Sequence, residues 1–130
     1  MASIQKVETS KAPDPKGSYS QAIKAGDFLF VSGQIPIDPK TGALIEQSIE
    51  SQTTQVLNNI EAILKVEGLN FENVVKCEVY LKDMKDFETM NRIYGERFSH
   101  SIKPARQTLQ VVKIPLDALI EISCIAYCKQ

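Results

Sequence analysis

Between Ser48 and Lys82 the spacing of apolar residues switches from three-and-four to two, the mark of a helix followed by a strand. Ile49, Thr53, Val56, Leu57, Ile60, Ile63 and Leu64 recur at helical spacing and predict a helix of about five turns with one buried face. Gly68 stands where a C-terminal cap belongs. In VVKCEVYLK the period becomes two, so Val75, Cys77, Val79 and Leu81 fall on one side and Lys76, Glu78, Tyr80 and Lys82 on the other. A helix that leads into a strand with a single core face predicts a sheet carrying its helices on one side.

The rest of the chain fits that frame. Pro13, Pro15 and Gly17 punctuate the start, and YSQAIKAGDFLFVSG then predicts a hairpin turning at Ala25, Gly26 and Asp27. Gly33, Pro36, Pro39 and Gly42 keep regular structure out of the following loop, GQIPIDPKTGA. Asp86 is placed to cap a second helix, whose stripe of Phe87, Met90, Tyr94 and Phe98 reads as core rather than as a cofactor pocket. RQTLQVV and LIEISCIAYC predict the last two strands, separated by KIPLDA with its Pro115.

The expected architecture is therefore a single α+β domain over residues 1–130 in the order ββαβαββ, with one mixed sheet and both helices on one face. In the final strand Ile120, Ile122, Cys124, Ala126 and Cys128 point one way, and Glu121, Ser123, Ile125 and Tyr127 the other. The second set is too mixed for a helix-packed core and too apolar for a solvated face. It suits a subunit interface, which predicts an oligomer.

Composition narrows the function classes. A chain of 130 residues buries about two-thirds of the surface its unfolded form exposes, so it needs no staples. It is 43% apolar and 24% charged, with no long apolar run, which argues against a membrane span. A net charge of -1 and a pI near 5.8, without a basic cluster, argue against nucleic acid as the main partner. The N-terminus lacks an apolar signal core and carries Glu8 and Asp14, which predicts a cytoplasmic protein. Cys77, Cys124 and Cys128 have no metal-site spacing, and on one strand Cys124 and Cys128 would lie roughly 13 Å apart, too far for a disulfide. They read as reduced thiols, and with His100 as the single histidine the residues argue against a zinc site.

Two charges stand out. Arg106 and Glu121 occupy strand positions, where ionised side chains are either paired or bind something. Arg106 could bridge to an acid at a subunit contact, or its planar fork could bind a carboxylate bidentately. Glu121 could be the partner of Arg106, or a base that positions water. His100, between Ser99 and Ser101, reads as a solvated loop residue, since adjacency in sequence does not build a catalytic triad. Gly33 in VSGQIP either permits a turn or lets a ligand approach the backbone.

GSYSQAI, FVSGQIPIDPKTG, GLNFENVVKCEVYLKDMKDFETMNRIYGERF and KPARQTLQVVKIPLDALIEISCIA, in that order, resemble the RidA family, also labelled endoribonuclease L-PSP-like. The resemblance runs from about Ala12 to Ala126. It implies a homotrimer of chorismate-mutase-like α+β subunits, with a central β-barrel, helices outside and three clefts between neighbours. It also implies hydrolysis of 2-iminobutanoate and 2-iminopropanoate to 2-oxo acids and ammonia, with no metal and no cofactor. The imines come from pyridoxal-phosphate enzymes.

By the same resemblance Arg106 grips the substrate carboxylate, Glu121 places water, and Tyr19 belongs to the cleft. Ser32, Gly33 and Asn91 line that cleft, and Thr108 stands where many members have cysteine. Ser18 before Tyr19 replaces a common proline, and Ser123 replaces a second glutamate. Two other functions remain open on the sequence: a trimer that binds small carboxylates without turnover, and RNA cleavage or translation inhibition.

Overall fold

A computed structural model describes residues 3–129 of the chain. Its strands are β1 (Ile4–Val7), β2 (Ala22–Ala25), β3 (Phe28–Gln34), β4 (Ile37–Asp38), β5 (Ala43–Leu44), β6 (Val74–Leu81), β7 (Ala105–Gln110) and β8 (Ile120–Tyr127). Its helices are α1 (Ile49–Val66) and α2 (Phe87–Arg97). Six strands form one sheet in the order β1-β2-β3-β8-β6-β7. Neighbours run antiparallel except β6 and β7, which are parallel because α2 crosses between them.

Helix α1 begins where Ser48 accepts a hydrogen bond from the Ser51 N–H, and it closes before Gly68, whose φ of 70° only glycine adopts easily. Its inner face buries Val56, Leu57, Ile60, Ile63 and Leu64 completely. Each such side chain stabilises the fold by roughly 1.5–3 kcal/mol relative to exposure. They pack with Met90 and Tyr94 of α2 against Leu29, Val79, Ile122 and Ala126 of the sheet. The fold is thus α+β with one mixed six-stranded sheet and two helices. No described helix is long and apolar enough to cross a membrane.

Several details differ from the sequence expectation. Strand β1 adds an edge to the hairpin, pairing Ile4 to Val7 with Ala25 to Ala22. The loop after β3 is not wholly irregular, since Ile37 and Asp38 pair with Leu44 and Ala43. Val75 is exposed and Val74 buried, the reverse of the expected alternation, because the β6–β8 register slips between Val74 and Lys76. A bulge gives one strand an extra residue, and from Cys77 onward the alternation resumes. Asp86 makes no side-chain cap to α2; Asp83 caps the preceding 3-10 turn through the Lys85 N–H at 2.9 Å. Strand β7 stops at Gln110, so Val111 and Val112 lie outside it.

All three cysteines are free, with Cys77 and Cys124 buried and directly opposed across β6 and β8. On the sheet face away from the helices, Phe28 and Phe30 sit opposite Tyr127 and Ile125. The rings of Phe28 and Tyr127 lie 5.4 Å apart, and both remain substantially exposed.

Candidate functional site

Glu121 lies on β8, pointing away from the helices, and its position opposite β3 is made by an irregularity in β3. Between Val31 and Gln34 the β3–β8 register shifts, which places Ser32 and Gly33 at a bulge. The Ser32 hydroxyl donates to the Ser20 carbonyl at 2.6 Å, and its N–H donates to the Gln21 carbonyl at 2.9 Å. Ser32 thereby holds the segment that carries Tyr19.

The Glu121 carboxylate rests directly on Gly33. A Cβ built on that glycine would overlap the carboxylate oxygen Oε2 and lie 2.9 Å from Cδ. Of the two readings of Gly33, close approach is therefore the one that applies, and what approaches is the side chain of Glu121. Half-buried, Glu121 has its pKa raised above the ordinary value by desolvation. None of the ion pairs among the described residues involves it.

Tyr19, Ser32, Gly33, Gln34, Leu116 and Glu121 line one cavity of about 560 Å³. Tyr19 is 54% exposed at its edge, with its hydroxyl accepting from the Lys16 N–H at 3.4 Å. Gln21 forms part of the wall and is only 2% exposed. Its amide accepts from the Thr9 N–H and donates to the carbonyls of Thr9, Ala12 and Pro13 at 2.7–3.2 Å. That glutamine ties the N-terminal segment to the sheet, and the sequence carried no signal for it beyond an amide at a strand margin.

Arg106 belongs to a different place. It pairs with Cys77 in the parallel β6–β7 ladder, so it shares the helix-covered face with that buried thiol. Glu121 pairs with Tyr80, one parity away, and occupies the opposite face. Within one chain the two cannot be partners, which removes one of the two readings of Glu121.

The guanidinium of Arg106 is held by α2. One Nη1–H donates to Asn91 Oδ1 at 2.7 Å, and the group lies over the rings of Tyr94 and Phe87 at 4.8 and 5.5 Å. Aromatic faces attract the cation without neutralising it. No ion pair among the described residues uses Arg106. Tyr94 and Phe87 thus belong to the expected apolar stripe and also seat this arginine.

Beneath Arg106, burial pushes the Cys77 thiol up to about 11, so it stays protonated and inert. Thr108 follows on the same face, and its buried Oγ1 has no hydrogen-bond partner among the described residues. His100 lines a separate cavity with Glu72 and Lys103 that shares no residue with the Glu121 cavity. Its carbonyl accepts from Lys103 Nζ at 2.8 Å.

The seven residues singled out from sequence therefore form two clusters. Tyr19, Ser32, Gly33 and Glu121 gather on one sheet face, and Asn91, Arg106 and Thr108 on the other. One cluster offers an unneutralised cationic fork, the other a desolvated carboxylate beside a cavity.

Known proteins resemble nearly the whole chain. The family model described as Endoribonuclease L-PSP matches residues 9–128. A RutC family protein from Pyrococcus horikoshii is 57% identical over 119 residues, covering 92% of this chain and 94% of that protein. Reactive Intermediate Deaminase A, chloroplastic, from Arabidopsis thaliana is 48% identical over 120 residues, 92% of this chain and 64% of that protein. The crystal structure of E. coli TdcF with bound serine superimposes with a TM-score of 0.90 at 34% identity, covering 95% of this chain and 98% of that one.

Proposed function

Since the chain belongs to the RidA family, within the endoribonuclease L-PSP-like proteins, we propose that it is a deaminase that hydrolyses reactive 2-imino acids to 2-oxo acids and ammonia. The substrates are 2-iminobutanoate and 2-iminopropanoate. The sites lie between the subunits of a homotrimer, each combining the Arg106 cluster of one chain with the Glu121 cluster of its neighbour. The observation that carries this reading is the separation of the two clusters: a free guanidinium and a free carboxylate, on opposite faces of one sheet, complement each other only between chains.

The chemistry follows from the side chains. A 2-imino acid is anionic at one end and electrophilic at the adjacent carbon. The fork of Arg106, oriented by Asn91, binds the carboxylate bidentately. The Thr108 hydroxyl, buried and without a partner among the described residues, supplies a further donor beside it. Glu121 accepts a proton from water as the oxygen adds to the imine carbon, the C=N electron pair moves onto nitrogen, and Glu121 returns that proton to the nitrogen. The hydroxyl proton of the resulting 2-amino-2-hydroxy acid passes through Glu121 to the amino group, and the C–N bond breaks to release ammonia as the C–O bond becomes the carbonyl of the 2-oxo acid. Tyr19 walls the cavity in which this occurs. Such imines hydrolyse unaided, so the site supplies far less than the ~8–23 kcal/mol that harder reactions demand.

Support comes from the deaminase name of the Arabidopsis relative and from the bound serine of TdcF, a small amino acid with the same carboxylate end. The exposed aromatic face of Phe28, Phe30 and Tyr127 supports assembly, since apolar surface of this kind is usually covered. RNA cleavage draws support from the family description and from the names of similar structures in Thermotoga maritima and Entamoeba histolytica, and His100 lies in a different cavity from Glu121. The test is release of 2-oxobutanoate from 2-iminobutanoate generated by an amino acid oxidase, in competition with semicarbazide. A rate above the unaided one is expected, together with a light-scattering mass three times the 14.5 kDa of the chain. Binding of 2-oxo acids without any rate increase would make the protein a carboxylate-binding trimer instead.

Gly33→Ala probes the seat of Glu121. The added methyl displaces the carboxylate, so turnover falls at least about 10-fold, while stability changes by less than about 1 kcal/mol because what must move is a flexible, half-buried side chain. Initial rates and thermal unfolding on the same preparation separate the two effects.

A further inference from the structure

Leu116 and Asp117 both have positive φ, 58° and 59°, in a turn that contains no glycine or asparagine. A branched side chain rarely adopts that conformation, because its Cβ crowds the backbone. The turn on either side is firmly anchored. Ile114 and Ala118 are buried, Asp117 Oδ1 pairs with Lys82 Nζ at 2.8 Å, and Gln52 of α1 accepts from the Leu119 N–H at 2.8 Å. The strain is not offset by burial of Leu116, which remains 62% exposed. It holds an apolar side chain at the cavity that contains Glu121, beside Pro115, Ile35 and Ile37.

A turn alone would be served better by glycine, so the identity of the side chain points to a ligand. We propose that Leu116 is the specificity-determining residue of the cleft: it forms an apolar wall that favours 2-imino acids whose side chains are apolar and longer than methyl. The proposal rests on the deaminase reading for its substrates. The carboxylate and imine carbon are met by Arg106 and Glu121, which are blind to the side chain. Discrimination therefore falls to the remaining wall, and Leu116 is the member of that wall exposed by a strained backbone.

The experiment compares kcat/KM for 2-imino-4-methylpentanoate and 2-iminopropanoate, each generated by an amino acid oxidase, in wild type, Leu116→Gly and Leu116→Lys. Glycine suits the positive φ, so the first variant folds with an unchanged or higher Tm. The ratio of the two kcat/KM values is expected to fall at least about 10-fold in Leu116→Gly and further in Leu116→Lys, whose ammonium opposes an apolar side chain. An unchanged ratio in both variants overturns the proposal, even if both lose rate.

A failure of the deaminase reading is seen separately, as absence of turnover by wild type. Calorimetric binding of 4-methyl-2-oxopentanoate and 2-oxopropanoate then carries the test. Wild type is expected to prefer the larger acid and Leu116→Gly to lose that preference. Equal affinities in wild type, or no binding of either acid, overturn the proposal.

Discussion

In Arg106→Ala, kcat/KM for 2-iminobutanoate is expected to fall by roughly 10²–10⁴-fold, because two charge-assisted hydrogen bonds of about 1.5–3 kcal/mol each are lost. The side chain is exposed, and among the described residues it makes one hydrogen bond, to Asn91, and lies over two ring faces. Its removal therefore costs roughly 2–4 kcal/mol of folding stability, which lowers Tm but leaves the chain folded at assay temperature. Rate thus falls while the fold persists, which distinguishes a lost clamp from a lost fold. Arg106→Lys retains the charge without the fork and recovers only a small part of the rate. A wild-type rate in Arg106→Ala would remove the clamp from the mechanism.

Glu121→Gln is expected to lower kcat by on the order of 10²-fold with a smaller change in KM, since a carboxamide cannot take the proton of water. The pH dependence carries more information. Burial raises the pKa of Glu121 above its ordinary 4.5, so the carboxyl keeps its proton to higher pH than an exposed glutamate would. The reactive form is the carboxylate, so the acid limb of the rate profile lies above the ordinary glutamate range. In Glu121→Gln that limb disappears.

Stability moves in the opposite sense. Above the folded pKa the buried carboxylate is ionised in both states, and only the folded state bears its desolvation. Below the unfolded value both states are neutral and the cost vanishes. Glu121→Gln is therefore more stable than wild type at neutral pH, and the difference closes as pH falls through the raised pKa and then below 4.5. Thermal unfolding of both proteins across that window checks the sign.

How far this was readable in the sequence depends on which physical signal carries each feature. Helix α1 was legible to its end at Gly68 because a glycine cap and apolar spacing are local, whereas the cap at Ser48 emerged only from the structure. The alternation of β8 was legible for the same reason, and its buried and half-buried residues fall where expected. β1 was missed because four residues, three of them exposed, carry no periodic pattern, and their only support is pairing with β2. The inversion at Val75 was missed because a bulge is a property of two strands together.

The site divides along the same line. Alternation tells which neighbours within a strand share a face, but not which face a parallel edge strand shares with its partner. The opposition of Arg106 and Glu121 therefore emerged only from the Cys77–Arg106 and Tyr80–Glu121 registers. The contact of Glu121 with Gly33 joins β8 to a bulge in β3, and the strained backbone of Leu116 falls on a residue type that gives no warning of it.

The central claim is that each site takes Arg106 and Glu121 from different chains. It is tested most directly by mixing Arg106→Ala and Glu121→Gln proteins after joint denaturation and refolding, and measuring 2-iminobutanoate hydrolysis. Each variant alone is nearly inactive. Random trimers place an intact Arg106 cluster against an intact Glu121 cluster at about one quarter of interfaces, so the mixture recovers about one quarter of wild-type activity. No recovery above the sum of the two separate variants, in trimers shown by mass to contain both chains, would contradict the account.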